Sequence, residues 1–259
     1  MKVLAALDQT AAARAVLAAT HEIARMFAAD VSAVHVHQDG VQRVREVAAD
    51  DGVPLAELEG APPGARLAQA LEDDDDAVAL VVGTRAQPDG GREIGSTALE
   101  VVTTAHKPVF AIPPELPAGF ALRRMLLPLE GSLSTSYAPY AALDVPGAEH
   151  VDVVILHVLE EDALPAFCDQ PQHEWEAFDS EFLARYSLWP VEHVRLETRV
   201  GRPDQHILAV GRDTDCDLIV LAWAQELAPG RAKIVRDTLR RGTIPVLLVP
   251  VKAAVGAGI

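Results

Sequence analysis

The sequence repeats itself once along its length. KPVFAIP at 107–113 is similar to IPVLLVP at 244–250, and VSAVHV at 31–36 is similar to VVILHV at 153–158. AVALVVG at 77–83 is in turn similar to DLIVLA at 217–222. A single long repeat indicates a duplicated domain rather than a solenoid, which needs more and shorter units.

Each copy alternates short apolar runs with segments of helical periodicity. Lys2–Leu7 and Ala77–Val82 are apolar runs that predict buried strands, whereas Ala11–Phe27 has apolar residues at helical spacing. Strands that alternate with helices predict an α/β fold with a parallel sheet covered on both faces.

A proline-rich segment separates the two copies. Pro113–Gly119 holds three prolines and predicts a linker. The chain of 259 residues is long enough for two domains that each bury a core. We therefore expect domains at 1–117 and 118–252, followed by a C-terminal tail at 253–259.

Composition and charge exclude several classes of protein. The formal net charge is −16, which argues against nucleic acid and membrane surfaces as partners, because both carry negative charge. Asp8 interrupts the first apolar run too early for a signal peptide, and no stretch approaches about 20 apolar residues. Cys168 and Cys216 match no zinc or redox spacing. These features predict a soluble cytoplasmic protein without a metal site.

Each half resembles the universal stress protein family in the order of its motifs. The shared features are an acidic residue after the first strand, a strand that ends in HV, and a late apolar strand followed by a helix that leads to PV. The resemblance implies two tandem open five-stranded parallel-sheet domains, Rossmann-like and similar to adenine-nucleotide alpha-hydrolases. It also implies a pseudo-twofold axis, with the last strands at 108–112 and 245–249 near the interface. Ligands of such sheets bind at the carboxyl ends of the strands.

The first copy keeps part of the family's nucleotide loop, which reads Gly-x-x-Gly, nine residues, then Gly and Ser or Thr. Glycines let the backbone approach phosphate, and a helix N-terminus offers free N–H groups. Ala86 replaces the second glycine, and Gly95 follows one residue earlier than the family spacing. The alternative is that Gly95 and Ser96 only cap a helix and that Asp8 is only an N-cap. The resemblance implies nucleotide-binding roles for Asp8 (adenosine), Val36 (adenine region), and Gly83, Arg85, Gly95, Ser96 and Thr97 (phosphates).

The second copy has lost this loop. Ala222-Trp223-Ala224-Gln225 replaces Gly-x-x-Gly, Ala232-Lys233 replaces Gly-Ser, and Glu130 replaces the acidic Asp. The sequence therefore predicts that any surviving nucleotide site lies in the first domain. Two alternatives stay open for Trp223, which either fills the vacated adenine space or is a partly exposed loop residue.

Histidines and aromatic residues suggest packing rather than chemistry. His35 and His157 occupy the same place in the two copies, as the family's structural HV histidine does. His37 alternates with His35 on its strand, so the two point to opposite faces and do not readily share a metal. A stripe at helical spacing predicts core or inter-domain packing, with a ligand or partner surface as the alternative. The stripe consists of His173, Trp175, Phe178, Phe182 and Tyr186.

The sequence favours binding over catalysis. It contains no nucleophile elbow, no P-loop lysine and no HExxH motif. The leading hypothesis is a stress-response protein that binds ATP or AMP, with or without Mg²⁺, as a sensor or modulator, with at most slow ATP hydrolysis. The second is a tandem scaffold that binds no nucleotide and acts through a protein partner. The third is an enzyme of the wider hydrolase-like superfamily. A monomer is expected because one chain supplies both halves of a family dimer, and a homodimer is the alternative.

Overall fold

A computed structural model describes residues 1–36, 41–85, 93–117, 119–130, 133–159, 171–189, 193–225 and 231–251. Ala86 and most of the predicted glycine-rich loop lie outside this described part, as do His37, Cys168 and the tail.

The first half alternates strands and helices as the sequence predicts. Its strands are β1 (Lys2–Ala6), β2 (Asp30–Val36), β3 (Leu55–Leu58), β4 (Ala77–Gly83) and β5 (Val109–Ile112). Its helices are α1 (Ala12–Phe27), α2 (Val41–Asp50), α3 (Pro63–Asp73) and α4 (Ser96–Thr104).

The second half repeats this order, with one short 3-10 helix, Pro146–His150, that the sequence patterns did not reveal. Its strands are β6 (Arg124–Pro128), β7 (Asp152–Leu159), β8 (Val194–Val200), β9 (Leu218–Trp223) and β10 (Val246–Pro250). Its helices are α5 (Leu133–Leu143), α6 (Pro171–Tyr186), α7 (Pro203–Asp213) and α8 (Arg231–Arg241).

All ten strands join in one sheet, in the order β3-β2-β1-β4-β5-β10-β9-β6-β7-β8. The strands of each half pair in parallel, and the halves meet through an antiparallel pairing of β5 with β10. Read outward from that junction, the two halves have the same strand order. The predicted fold class is therefore confirmed, and the closing strands meet between the halves as expected. The domain boundaries at 117 and 118 stay predictions.

The core forms two apolar layers, one on each face of the sheet. Each layer contains residues of both halves: one combines Phe110 with Leu247 and the other combines Ala111 with Leu248. Phe27 of α1 meets Phe110 edge to face, with ring centroids 6.3 Å apart. The sequence suggested that each half could bury its own core, whereas the structure shows that the halves share both layers.

A glycine allows the 3-10 helix of the second half to lie against α1 of the first. A Cβ atom at Gly147 would be 2.6 Å from the Cα and carbonyl oxygen of Met26. Any side chain at this position would force the two elements apart.

Within the described residues, no helix has both the length and the apolar character needed to cross a bilayer.

Candidate functional site

Three predicted nucleotide-binding positions lie at one edge of the sheet. Val36 ends β2 and Gly83 ends β4, while Asp8 follows β1, which pairs in parallel with both of those strands. Because the carboxyl ends of parallel strands share an edge, the topology brings these positions together.

Asp8 supports the turn that leads into α1. Its Oδ1 accepts hydrogen bonds from the Thr10 backbone N–H at 2.9 Å and the Thr10 hydroxyl at 2.5 Å. The Thr10 hydroxyl oxygen accepts in turn from the N–H of Ala12 at 3.2 Å. The alternative that Asp8 is the N-cap of α1 is wrong, because that position is Ala11 and no side chain caps it; Asp8 instead stabilises the turn before the helix. Its side chain is nevertheless exposed at the carboxyl edge.

The histidine before Val36 fastens the first strand to the second. His35 Nδ1 lies 2.8 Å from the carbonyl oxygen of Leu7, and His157 Nδ1 lies 2.9 Å from that of Leu129. Since a carbonyl oxygen only accepts, Nδ1 carries the hydrogen in both histidines. The matching bonds agree with the structural role predicted for this pair. Val36 itself is buried in a core layer.

The start of α4 is the first half's candidate phosphate site. Gly95 is the N-cap residue, with φ −59° and ψ 139°, and Ser96 begins the helix. The N–H of Gly95 already donates to the carbonyl of Thr84 at 2.9 Å, so this group is not free for a phosphate. The N–H groups of Ser96 and Thr97 lie in the first helical turn, where N–H groups lack intrahelical acceptors.

Gly64 helps to set the position of α4, which the sequence analysis missed. A Cβ atom at Gly64 of α3 would lie 2.6 Å from the Cβ of Glu100 and 2.8 Å from the carbonyl oxygen of Thr97. The missing side chain lets α3 approach the first turn of α4 closely. The sequence shows a glycine at this position but does not show that its helix packs against another helix.

Arg85 is paired rather than available as a free cation. The residue is buried, and its Nη2 donates to the two carboxylate oxygens of Glu115 at 3.0 and 2.8 Å. Its Nε finds no hydrogen-bond partner among the described residues. The positive charge expected to attract phosphate is thus neutralised by a glutamate that the sequence placed in a linker.

A large cavity lies at the corresponding edge of the second half. Its volume is about 830 Å³. Its wall is formed by the ends of β6, β7 and β9, by the segment that leads into α7, and by the start of α8. Glu130, His157 and Arg202 are the polar side chains in this wall, together with mainly apolar neighbours. Loss of the glycine motif has therefore not filled the space.

Trp223 ends β9 and is only 2% exposed, so the prediction of a partly exposed loop residue is wrong. It lines the cavity but does not fill it, so the other alternative, that Trp223 fills the vacated adenine space, is not met either. Its indole Nε1 also donates to the carbonyl oxygen of Val102 in α4 at 2.9 Å, across the two halves. Gln225 Nε2 adds a bond to the carbonyl oxygen of Ala105 at 2.5 Å. Trp223 thus connects the cavity of the second half with α4 of the first.

The aromatic stripe of α6 packs inside the second half. Phe182 is buried, and its ring centroid lies 4.3 Å from that of His157 and 4.9 Å from that of Tyr186. Phe178 lies 5.9 Å from both His157 and Phe182. The packing prediction holds for these residues, while the side chains of His173 and Trp175 lie outside the described residues.

Two cations near the cavity share one carboxylate. Arg202 donates to both oxygens of Asp204, from Nε at 3.1 Å and from Nη2 at 2.9 Å. Lys233 Nζ donates to Oδ2 of the same carboxylate. The hydrogen bond from Lys233 is the main cause that lowers the pKa of Asp204 below its ordinary value.

Within the described part of the chain, no three histidine, cysteine or acidic residues group as metal ligands.

This carboxylate gives stability a pH dependence. Because the pKa of Asp204 is lower in the folded state, its contribution is present above its ordinary pKa of 3.8 and is lost as pH falls through the lowered value. Asp204→Asn should lower the free energy of unfolding by about 1 kcal/mol at pH 7. Urea unfolding should be measured from pH 7 to pH 3 for the wild type and for Asp204→Asn. The difference between their free energies of unfolding should become smaller as the pH falls. Asp213→Asn, at an exposed position of the same helix, is the control, and an equal loss there would contradict the assignment.

A sheet made of two copies of one five-strand order, with polar positions gathered at the carboxyl edges, defines a duplicated, doubly wound α/β protein. The sequence model of the universal stress protein family matches residues 121–250, which are 130 of the 259 residues. The chain belongs to the universal stress protein family. The match covers the copy in which the glycine motif is replaced.

Solved structures of similar length share this fold. A universal stress protein from Archaeoglobus fulgidus DSM 4304 is 14% identical, with a TM-score of 0.66, and the match covers 96% of this chain and 98% of that one. A functionally unknown protein from Pseudomonas aeruginosa PAO1 is 12% identical, with a TM-score of 0.67 and coverage of 96% and 92%. A putative universal stress protein from P. aeruginosa UCBPP-PA14 is also 12% identical, with a TM-score of 0.67 and coverage of 96% and 93%. No curated protein sequence gives a significant match.

Proposed function

We propose that the protein is a cytoplasmic stress-response protein that binds an adenine nucleotide, ATP or AMP, in its first half. In this proposal it acts as a sensor or modulator rather than as an efficient enzyme. The observation that carries the proposal is the start of α4 at the carboxyl edge. There the N–H groups of Ser96 and Thr97 lie in the first turn, behind an exposed glycine.

The neighbouring positions suit the rest of a nucleotide. The exposed carboxylate of Asp8 can accept hydrogen bonds from ribose hydroxyls through the oxygen that does not bind Thr10. Val36 is buried at the end of β2, so we propose for it a role in shaping the adenine region from the core side rather than a wide contact. Gly83 ends β4, where a Cβ atom would lie 3.5 Å from Val16 of α1, so its missing side chain lets α1 pack closely at this edge. Mg²⁺ would serve as a counter-ion to the phosphates rather than as a resident metal.

Arg85 has a different role in this proposal from the one its sequence position suggests. Because Glu115 holds both of its carboxylate oxygens against the guanidinium, the pair carries no net charge toward a phosphate. We propose that Arg85 contributes to phosphate binding only if Glu115 releases it, because the Nε that finds no partner among the described residues is itself buried.

Calorimetric titration of the purified chain with ATP, ADP and AMP, each with and without Mg²⁺, tests the proposal. We expect one nucleotide per chain. A stoichiometry of two would show that the second half also binds nucleotide. Absence of heat with millimolar nucleotide would instead favour the alternative of a scaffold that acts through a protein partner. The paired Arg85 and the bonded N–H of Gly95 are the observations in favour of that alternative.

The chain should be a monomer in solution. The β5–β10 pairing joins the closing strands of the two halves within one chain, so those edges are not available to a second copy. Light scattering over a wide concentration range should give the mass of one chain throughout. A dimer mass that does not vary with concentration would establish the homodimer instead.

A further inference from the structure

The cavity of the second half has the size and lining of a small-molecule site. Its volume of about 830 Å³ falls within the range of about 300–1,000 Å³ that is typical of ligand pockets. Twelve of the sixteen residues that line it are apolar, which makes burial of apolar ligand surface the main source of affinity.

The position that offers phosphate donors in the first half is apolar here. Aligned on the closing prolines, Ile234 takes the place of Thr97, although α8 begins two residues earlier than α4 does, at Arg231. Ile234 and the next residue, Val235, both line the cavity. A branched aliphatic side chain at this point adds contact surface for an apolar group and offers no hydrogen bond to an anion.

The charges around the cavity also disfavour a polyphosphate. Among the described lining residues the cationic side chain is Arg202, which donates to both oxygens of Asp204. Lys233 is bound to the same carboxylate. A phosphate would have to compete with Asp204 for these cations and would approach the acidic Glu130 in the cavity wall.

His157 offers a hydrogen-bond acceptor to a neutral ligand. Its Nδ1 donates to the carbonyl of Leu129, so the Nε2 of the neutral ring is an acceptor. Glu130 also lines this wall. We propose that this cavity binds an uncharged, mainly apolar small molecule that carries a hydrogen-bond donor, and that it does so independently of nucleotide binding in the first half.

N-phenyl-1-naphthylamine is a suitable probe, because it is neutral and apolar, has one N–H donor, and becomes brighter in apolar surroundings. Titration of the intact chain should give a saturable rise in emission with one probe per chain. Ala222→Phe and Val158→Phe place bulk in the cavity from two different strands. Each should weaken binding by about tenfold or more. Ala141→Phe, at an exposed position of α5, is the matched control and should bind like the wild type.

The outcomes separate this inference from the proposed function. We expect millimolar ATP not to displace the probe, and Gly95→Val to leave probe binding intact. Absence of saturable binding, or wild-type binding in both cavity variants with circular dichroism showing them folded, would overturn the inference. Displacement by ATP, together with loss of ATP binding in Ala222→Phe, would overturn it by showing a nucleotide site in the second half. Probe binding without any ATP binding would support the cavity assignment and remove only the nucleotide proposal.

Discussion

Replacing Gly95 with valine should weaken ATP binding by about two orders of magnitude or more while the chain stays folded. The bulky side chain would stand in front of the Ser96 and Thr97 N–H groups and keep phosphate away from them. Each charge-assisted hydrogen bond lost accounts for roughly 1.5–3 kcal/mol, so two of them correspond to at least about a hundredfold in the dissociation constant.

The fold tolerates this substitution at Gly95. Its φ of −59° is accessible to any L-residue, and an added Cβ atom would meet only the carbonyl oxygen of Thr84, at an ordinary contact distance of 3.5 Å. A β-branched side chain therefore blocks approach from outside without displacing α4. The bond from the N–H of Gly95 to Thr84 is a backbone bond and should persist in the variant.

Ala232→Val is the matched control, because Ala232 occupies the place of Gly95 in the second copy. It should leave the affinity for ATP unchanged in calorimetry. Thermal unfolding of both variants should match the wild type within a few degrees. An equal loss of affinity in the two variants would place the nucleotide in the second half, or in both halves.

The sequence predicts the fold well because local patterns determine it. Buried parallel strands are short apolar runs, and the runs that end at Leu7 and Val82 are visible without any knowledge of tertiary contacts. The repeated closing strands also predict where the halves meet, since a twofold relation brings the same element of each copy to the axis. A continuous sheet follows once β5 and β10 pair.

The site is less predictable because its chemistry depends on partners that are distant in the sequence. Arg85 was expected to offer free charge, but Glu115, thirty residues later, neutralises it. Gly95 was expected to offer its N–H, which Thr84 accepts instead. Neither pairing follows from a motif, because each depends on how the segments on both sides of the loop return to the edge of the sheet.

The cavity of the second half was hidden for another reason. A missing glycine motif indicates lost phosphate chemistry, and from it the sequence predicts that any surviving nucleotide site lies in the first half. The space itself depends on the volumes of side chains around it, such as Ala222 and Ile234, and these volumes have no motif. Motif loss therefore predicts a change of ligand class better than it predicts a closed pocket.

Trp223→Ala should be the most destabilising of the substitutions considered. The side chain is 2% exposed in a core layer shared by the two halves. Truncating a buried tryptophan typically costs about 3–5 kcal/mol. The carbonyl oxygen of Val102 would also lose the indole donor that reaches it from the other half.

Two further variants separate these contributions in urea unfolding. Trp223→Phe keeps most of the packing and removes the indole donor, while the Val102 carbonyl keeps a longer bond from Gln225 Nε2 at 3.4 Å, so it should cost about 1 kcal/mol. Trp189→Ala removes a half-buried tryptophan that packs on Tyr140 within the second half, with ring centroids 5.3 Å apart. It should cost less than Trp223→Ala because it leaves the contact between the halves intact. A loss below about 1 kcal/mol in Trp223→Ala would show that the halves hold together without this anchor. The stability of the chain would then rest mainly on the β5–β10 pairing and the shared core layers.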